Sequence, residues 1–169
     1  MSILPKFSKP LGVVFSLIAI ASYSQNKTYS IAFGSCDNQR LNNELWKSID
    51  DNHPVAWIWG GDDVYSDTED MKELKDNYAI QKNDSDYLQF ISNKQILGTW
   101  DDHDYGLNDG GEEYPYKRES QQLLFDFLGT PNDAPERFRD GVYNSKVIDI
   151  EGNKVKIIIL DTRFFRTAV

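Results

Sequence analysis

A layered α/β core is the fold class the sequence predicts, and two observations predict it. Apolar runs of strand length at 29–33 (YSIAF), 55–59 (VAWIW) and 95–100 (QILGTW) alternate with segments of helical periodicity, and further strand-like runs follow at 142–150 and 155–160. Polar residues stand at the C-terminal tips of four of the runs: Cys36, Asp62 with Asp63, the DDHD block at 101–104, and Asp161. Ligands of open α/β sheets bind beyond the carboxyl ends of strands. Brought together, these tips predict an acidic pocket with one thiol and one imidazole.

The elements follow in order. Gly34 and Ser35 end the first strand. Residues 40–49 read as a helix with Leu41, Leu45 and Ile49 on one face. The unbroken apolar run at 55–59 predicts a strand covered on both faces, stopped by Gly60 and Gly61. Thr68 can cap a helix whose first turn holds Glu69 and Asp70. The helical pattern continues through much of 71–92, with an interruption at Asn83, Asp84 and Ser85. Residues 106–113 form a polar, Gly-rich loop that either shapes substrate entry or simply faces solvent. A helix at 117–128 carries Leu124 and Leu128 one turn apart and is ended by the prolines of 131–135. The last two strands make a hairpin around Glu151, Gly152 and Asn153. The first three strands are expected to be parallel. Trp57, Trp59 and Trp100 read as core.

A chain of 169 residues suits one domain or part of a larger one. Aromatic residues make up 13 %, four of them Trp, which argues for a packed core rather than disorder. The formal charge is -9 and the pI about 4.6, so nonspecific binding to duplex DNA gets no electrostatic help. Lys6 and Lys9 precede an apolar run at 11–21, LGVVFSLIAIA, too short to span a bilayer comfortably. Small residues follow at two cleavage points, after Ser24 and, as second choice, after Ala21. These are the features of a signal peptide at 1–24, which leaves 25–169 as an exported protein, periplasmic or extracellular, with no stable membrane span. A buried N-terminal helix or a retained anchor is the alternative, and Pro5 and Pro10 disfavour the helix. Cleavage removes Lys6 and Lys9 and no acid, taking the formal charge from -9 to -11. Cys36 is the one cysteine. In an oxidising compartment a lone thiol is a liability unless buried or bound to a metal.

The pocket suits hard cations, because clustered carboxylates without one repel each other and rise in pKa. Tyr65 stands three residues after Asp62, close enough for a tight turn to aim both at one ion. A phenol with an ordinary pKa of about 10 ligates only a strongly Lewis-acidic ion, and ferric iron is the natural candidate. The thiolate of Cys36 suits the same ion, while calcium prefers the carboxylates. His103 could protonate a leaving group or stabilise developing charge, with Asp101 or Asp104 orienting its ring. The bland alternatives are a solvated turn at Asp62 and Asp63, a surface histidine at 103 and a small buried apolar residue at Cys36.

Four motifs sharpen this reading: FGSCDNQ at 33–39, GDDVYSD at 61–67, WDDHDYGLND at 100–109 and LDTRFFR at 160–166. In this order and spacing the chain from Tyr29 onward resembles the PhoD-like metallophosphatases (the alkaline phosphatase D family), a branch of the calcineurin-like metallophosphoesterases. The resemblance implies a four-layer fold, two sheets sandwiched between helices, and metal-dependent hydrolysis of phosphate mono- or diesters. It implies Ca2+ and Fe3+ as cofactors. Cys36 matches the thiolate ligand, Asp62 the acid that bridges metals, Tyr65 the phenolate on iron, Asp102 a calcium ligand and His103 the leaving-group residue. Arg163 and Arg166 either anchor the fold or face substrate; as surface or carboxylate-paired arginines they need no further role.

The resemblance covers only the N-terminal portion of such a domain. Relatives add histidines and an acid from later strands, including a GDxH-type block. The other histidine here, His53, precedes the second strand, at the wrong end for the pocket. The aromatics Phe164 and Phe165 also lack a following element to cover them. The expectation is a phosphoesterase as the full-length protein, with residues 25–169 inactive alone. The alternatives are an exported calcium-binding module and an inactive truncated form.

Overall fold

The computed structural model describes residues 27–167. The expected signal peptide at 1–24 and both of its cleavage points lie outside the described residues. The strands are β1 (Ile31–Gly34), β2 (Ala56–Gly60), β3 (Gln95–Thr99), β4 (Asn144–Ile150) and β5 (Asn153–Ile159). The helices are α1 (Leu45–Asp50), α2 (Met71–Lys82), α3 (Ser85–Ile91), α4 (Asp102–Tyr105) and α5 (Lys117–Leu128), with a 3₁₀ turn at Pro135–Phe138. The result is a mixed α/β fold with two small sheets and several helices. The first sheet is parallel in the order β1-β2-β3, with Ile31 opposite Ala56 and Ala56 opposite Gln95. The second is the antiparallel hairpin β4-β5.

The period-two alternation of β2 explains the layers. Trp57 and Trp59 point into a core shared with the helices, while Ala56 and Ile58 point into a second core shared with the hairpin's Ile148, Ile150 and Ile159. β3 follows the same rule: Ile96 joins the helical side and Leu97 the hairpin side. Trp46 of α1 fills the centre of the helical core. Its ring lies 5.4 Å from that of Trp57 and 5.6 Å from that of Trp59, both edge to face, and stacks on Phe90 at 5.2 Å. The Trp59 indole donates to Tyr87 Oη at 2.9 Å, which satisfies both buried polar groups. Trp57, Trp59 and Trp100 are buried, as the sequence predicts.

Several expectations are corrected. The helix predicted at 40–49 shrinks to Leu45–Asp50, and its inward residue is Trp46, while Leu41 and Leu45 are exposed. Asparagine side chains explain the loss. Asn38 Oδ1 accepts from Arg40 N and Asn43 Oδ1 from Leu45 N, turns that compete with helical hydrogen bonds. Asp70, not Thr68, caps α2 by accepting from the N–H groups of Lys72 and Glu73. The interruption read at 83–85 divides α2 from α3, where Asp84 accepts from Tyr87 N. The DDHD block is not a simple strand tip: Asp102–Tyr105 forms a helical turn. Asp161 does not join the pocket. Its carboxylate accepts from the Trp100 indole, Val142 N, Arg163 N and Phe164 N, so its role is to anchor the chain there. Phe164 is buried and only Phe165 is exposed.

Gly61 sets how closely β2 approaches β3. Its φ is +104°, and a Cβ there would lie 2.6 Å from Asp101 N. Gly152, in the hairpin turn, also has positive φ, but a Cβ there meets nothing within 4 Å. Gly61→Ala is therefore expected to cost about 2–3 kcal/mol in urea unfolding, and Gly152→Ala about 1 kcal/mol. Equal losses at the two positions would contradict the close approach of the strand tips.

Candidate metal centre

The tips of β1, β2 and β3 are locked together by backbone bonds and one carboxylate. Past the strand ends, Cys36 N donates to Gly61 O and Asp37 N to Asp62 O, which extends the β1–β2 pairing by two residues. Asp104, fully buried, accepts from Asp101 N at 2.7 Å, Asp62 N at 3.3 Å and Asp63 N at 3.0 Å. The loop after Asp62 is tied to α4 because Ser66 N and Asp67 N both donate to His103 O. Gln39 clamps the backbone of Tyr65, donating to its carbonyl and accepting from its N–H, each at 2.9 Å. Cys36, Asp62, Asp67 and Asp109 all have positive φ, a left-handed geometry that L-residues adopt at a cost. Strain of this kind collects at functional sites.

This frame brings the sequence-predicted residues together. Asp62, Asp102 and His103 each offer a ligand atom within 4.8 Å of the others, a cluster able to hold a metal ion. Cys36 Sγ donates to Asp62 Oδ2 at 3.6 Å. The Tyr65 ring lies 4.4 Å from that of His103. Cys36 is exposed rather than a buried apolar filler, and Asp62 and Asp63 are buried rather than a solvated turn. His53 sits ahead of β2, away from these tips. The surface cleft of about 560 Å³ beside the hairpin is bordered by none of these side chains.

No family model, curated protein or solved structure matches this chain.

The electrostatics fit a cation. Burial pushes the Asp62 carboxyl upward and the charges of Asp101 and Asp102 add to it, against the pull of His103. Burial works the same way on Asp102, but the N–H groups of Asp109 and of Asp102 itself, with Arg163 and His103, outweigh it and hold this carboxyl low. A carboxylate that stays charged beside one that resists charging is a donor set that a positive ion would relieve. The Tyr65 phenol is pushed up to about 12 by burial and by its neighbours Cys36, Asp62 and Asp102. It becomes a phenolate only if a strongly Lewis-acidic ion takes the proton's place. Asp63 stands apart: it is fully buried with neither oxygen hydrogen-bonded. Burial, with the charge of Asp104, drives its carboxyl well upward. Burial also raises Asp104, against the pull of the N–H groups of Asp63, Asp101 and Asp62.

Asp67 is the residue that sequence reasoning missed as a partner. Both of its oxygens lie 2.7–2.8 Å from His103 Nδ1, a role expected instead for Asp101 or Asp104. Asp101 is turned to Arg163, and Asp104 to backbone N–H groups. The signal available was the last acid of the GDDVYSD block, in a chain whose lone pocket imidazole needs an orienting carboxylate. With Nδ1 donating to Asp67, Nε2 is the ring nitrogen left for chemistry.

Burial disfavours the charged His103 ring, but the hydrogen bond and charge of Asp67, with Asp62 and Asp102 behind it, outweigh this and raise its pKa. The stabilisation this gives the fold is complete below the unfolded value of about 6.5 and is lost as pH rises through the higher folded value. An NMR titration of the His103 ring in metal-free protein is expected to show a midpoint above about 6.5, lowered by Asp67→Asn. A midpoint that Asp67→Asn leaves in place would show that the carboxylate does not act on the ring.

Proposed function

We propose that this chain is part of a metal-dependent phosphoesterase of the PhoD-like kind, with its cations at the tips of β1, β2 and β3. One observation carries the proposal: buried Asp62 and Asp102 converge with His103, whose Nδ1 is held by Asp67. A generic metal cluster is consistent with many hydrolases. The finer reading is supported by the GDDVYSD and WDDHDYGLND blocks and by a thiol and a phenol at the edge of the same cluster. In the proposed enzyme, Asp62 and Asp102 would hold calcium through oxygen, and Cys36, Tyr65 and Asp62 would serve ferric iron. Bound cations supply Lewis acidity for a phosphoryl oxygen and an acidified water at neutral pH. The full domain is proposed to be the four-layer sandwich, with the described sheets as part of it.

The chain's own residues have defined tasks in this reading. Asp67 fixes the imidazole and favours its protonated form. The protonated Nε2 of His103 then donates to the leaving oxygen of the phosphate ester as charge develops on it. The Tyr65 ring against His103 limits the tilt of the imidazole. Arg163 keeps a positive charge behind Asp101 and Asp102, which lessens the repulsion a phosphate dianion meets at an acidic site. With a formal charge of -9, duplex DNA is not the proposed partner; a small phosphate ester is. Export is proposed from the leader sequence. Among the described residues, no helix is long and apolar enough to cross a membrane.

Cys36, Asp62, Tyr65 and Asp102 do not fill the coordination shells of two ions. Residues 25–169 alone are thus expected to hydrolyse p-nitrophenyl phosphate or its diester negligibly, with Ca2+ and Fe3+ present. A longer natural chain that carries further ligands is expected to turn the ester over. In it, Asp62→Asn or His103→Asn should lower kcat by about 100-fold or more while the protein stays folded. Calcium binding without turnover in every form would favour the exported binding module instead. Turnover indifferent to both substitutions would sink the proposed site.

A further inference from the structure

The segment after β5 packs against the loop that follows β3 and carries candidate ligands. Asp161 fixes its start, with the Trp100 indole and Val142 N donating to its two oxygens. Arg163 N donates to the same carboxylate, which aims the Arg163 side chain at the tip of β3. That side chain is only 12 % exposed. Its Nε and Nη2 lie 2.6 and 2.5 Å from Asp101 Oδ1, Nη2 lies 3.5 Å from Asp102 Oδ1, and Nη1 donates to Gly110 O at 3.5 Å. Asp102 is held on its other side as well, where Oδ2 accepts from Asp109 N at 2.9 Å. The Asp102 carboxylate therefore sits between a guanidinium and a backbone N–H.

We propose that Arg163 is a positioning residue for the metal centre: its forked guanidinium, braced on Asp101 and Gly110, fixes the orientation in which Asp102 meets a cation. The inference rests on the metal-dependent reading of the cluster given above. Two simpler roles compete with it. As a plain countercharge, Arg163 would lessen the negative potential and weaken cation binding, so its removal would tighten binding. As a plain strap, it would hold the fold and leave the ligand geometry of the folded protein alone. A fork that spans two carboxylates and a carbonyl is something lysine cannot reproduce, since its ammonium is a point charge. Arg163→Lys keeps the charge and loses the fork, and Arg163→Gln loses both.

Two measurements separate these roles. The first needs no metal. Amide hydrogen exchange reads the Asp109 N–H, which reports directly on the Asp102 carboxylate. Both variants are expected to speed exchange at Asp109 by about tenfold or more, with the amides of α5 unchanged. Unchanged exchange at Asp109, or equal acceleration throughout α5, overturns the proposal. The second measurement is Mn2+ binding followed by electron paramagnetic resonance. Loss of a group that orients a ligand weakens metal affinity about 10–100-fold, and both variants should show it. Tighter binding by Arg163→Gln with wild-type binding by Arg163→Lys would make Arg163 a countercharge and overturn the proposal. If the unsubstituted protein binds no Mn2+, the metal reading fails, and the Asp109 exchange still decides whether Arg163 positions Asp102.

Discussion

Everything at the candidate site depends on one buried carboxylate. Asp104 accepts hydrogen bonds from the backbone of both β2 and β3 tips, at Asp62, Asp63 and Asp101. Without it, three N–H groups at the strand ends would be buried with no partner, and each such group costs about 1–3 kcal/mol. With it, the chain can leave β2 in a left-handed turn at Gly61 and Asp62 and press directly on the start of α4. That contact puts Asp62, Asp102 and His103 within reach of one ion. The clamp also explains why Asp104, although it sits beside the imidazole in sequence, does not orient it. Its lone pairs are already taken by the backbone, and the task falls to Asp67 from the facing loop.

The site is an electrostatic problem handled from two sides. Asp62 resists ionisation because it is buried among other acids, and Tyr65 resists it more strongly. On the far side, Arg163 and the Asp109 N–H keep Asp102 charged. Asp63, whose oxygens have no hydrogen-bond partner, resists ionisation as well, because burial penalises its charged form. The cluster thus offers a cation one carboxylate already charged and one that gains by its arrival. The three-layer arrangement serves the same end. The Trp46, Trp57 and Trp59 core and the hairpin core grip both faces of the parallel sheet, so that its carboxyl edge is free for the loops of the site.

Much of this was legible in the sequence, and the failures have physical causes. The run 55–59 announced a strand buried on both faces, because apolar residues of both parities need two cores, and 95–100 announced a further strand. The helix at 117–128 and the hairpin turn at Glu151 and Gly152 were legible from periodicity and turn chemistry. The helix read at 40–49 failed because periodicity counts apolar spacing and ignores Asn38 and Asn43, whose side chains bond the local backbone. Strand tips carrying Cys36, Asp62 and the DDHD block were readable as one neighbourhood, since parallel strands share a carboxyl edge. Which acid serves which task was not. Asp161 looked like a pocket residue and is a backbone anchor, and Asp67 looked like a loop acid and is the partner of His103. Such distinctions depend on long-range contacts that local sequence does not encode.

The central claim is that the three strand tips build one cation site. Crystals soaked in Mn2+ and measured at its absorption edge test it most directly, because Mn2+ takes oxygen and imidazole ligands and its anomalous signal marks its position. The account predicts a peak between Asp62 and Asp102, with the metal-free arrangement of Asp67 and Arg163 retained around it. A protein that takes up manganese elsewhere, or shows no peak at the strand tips, would contradict it.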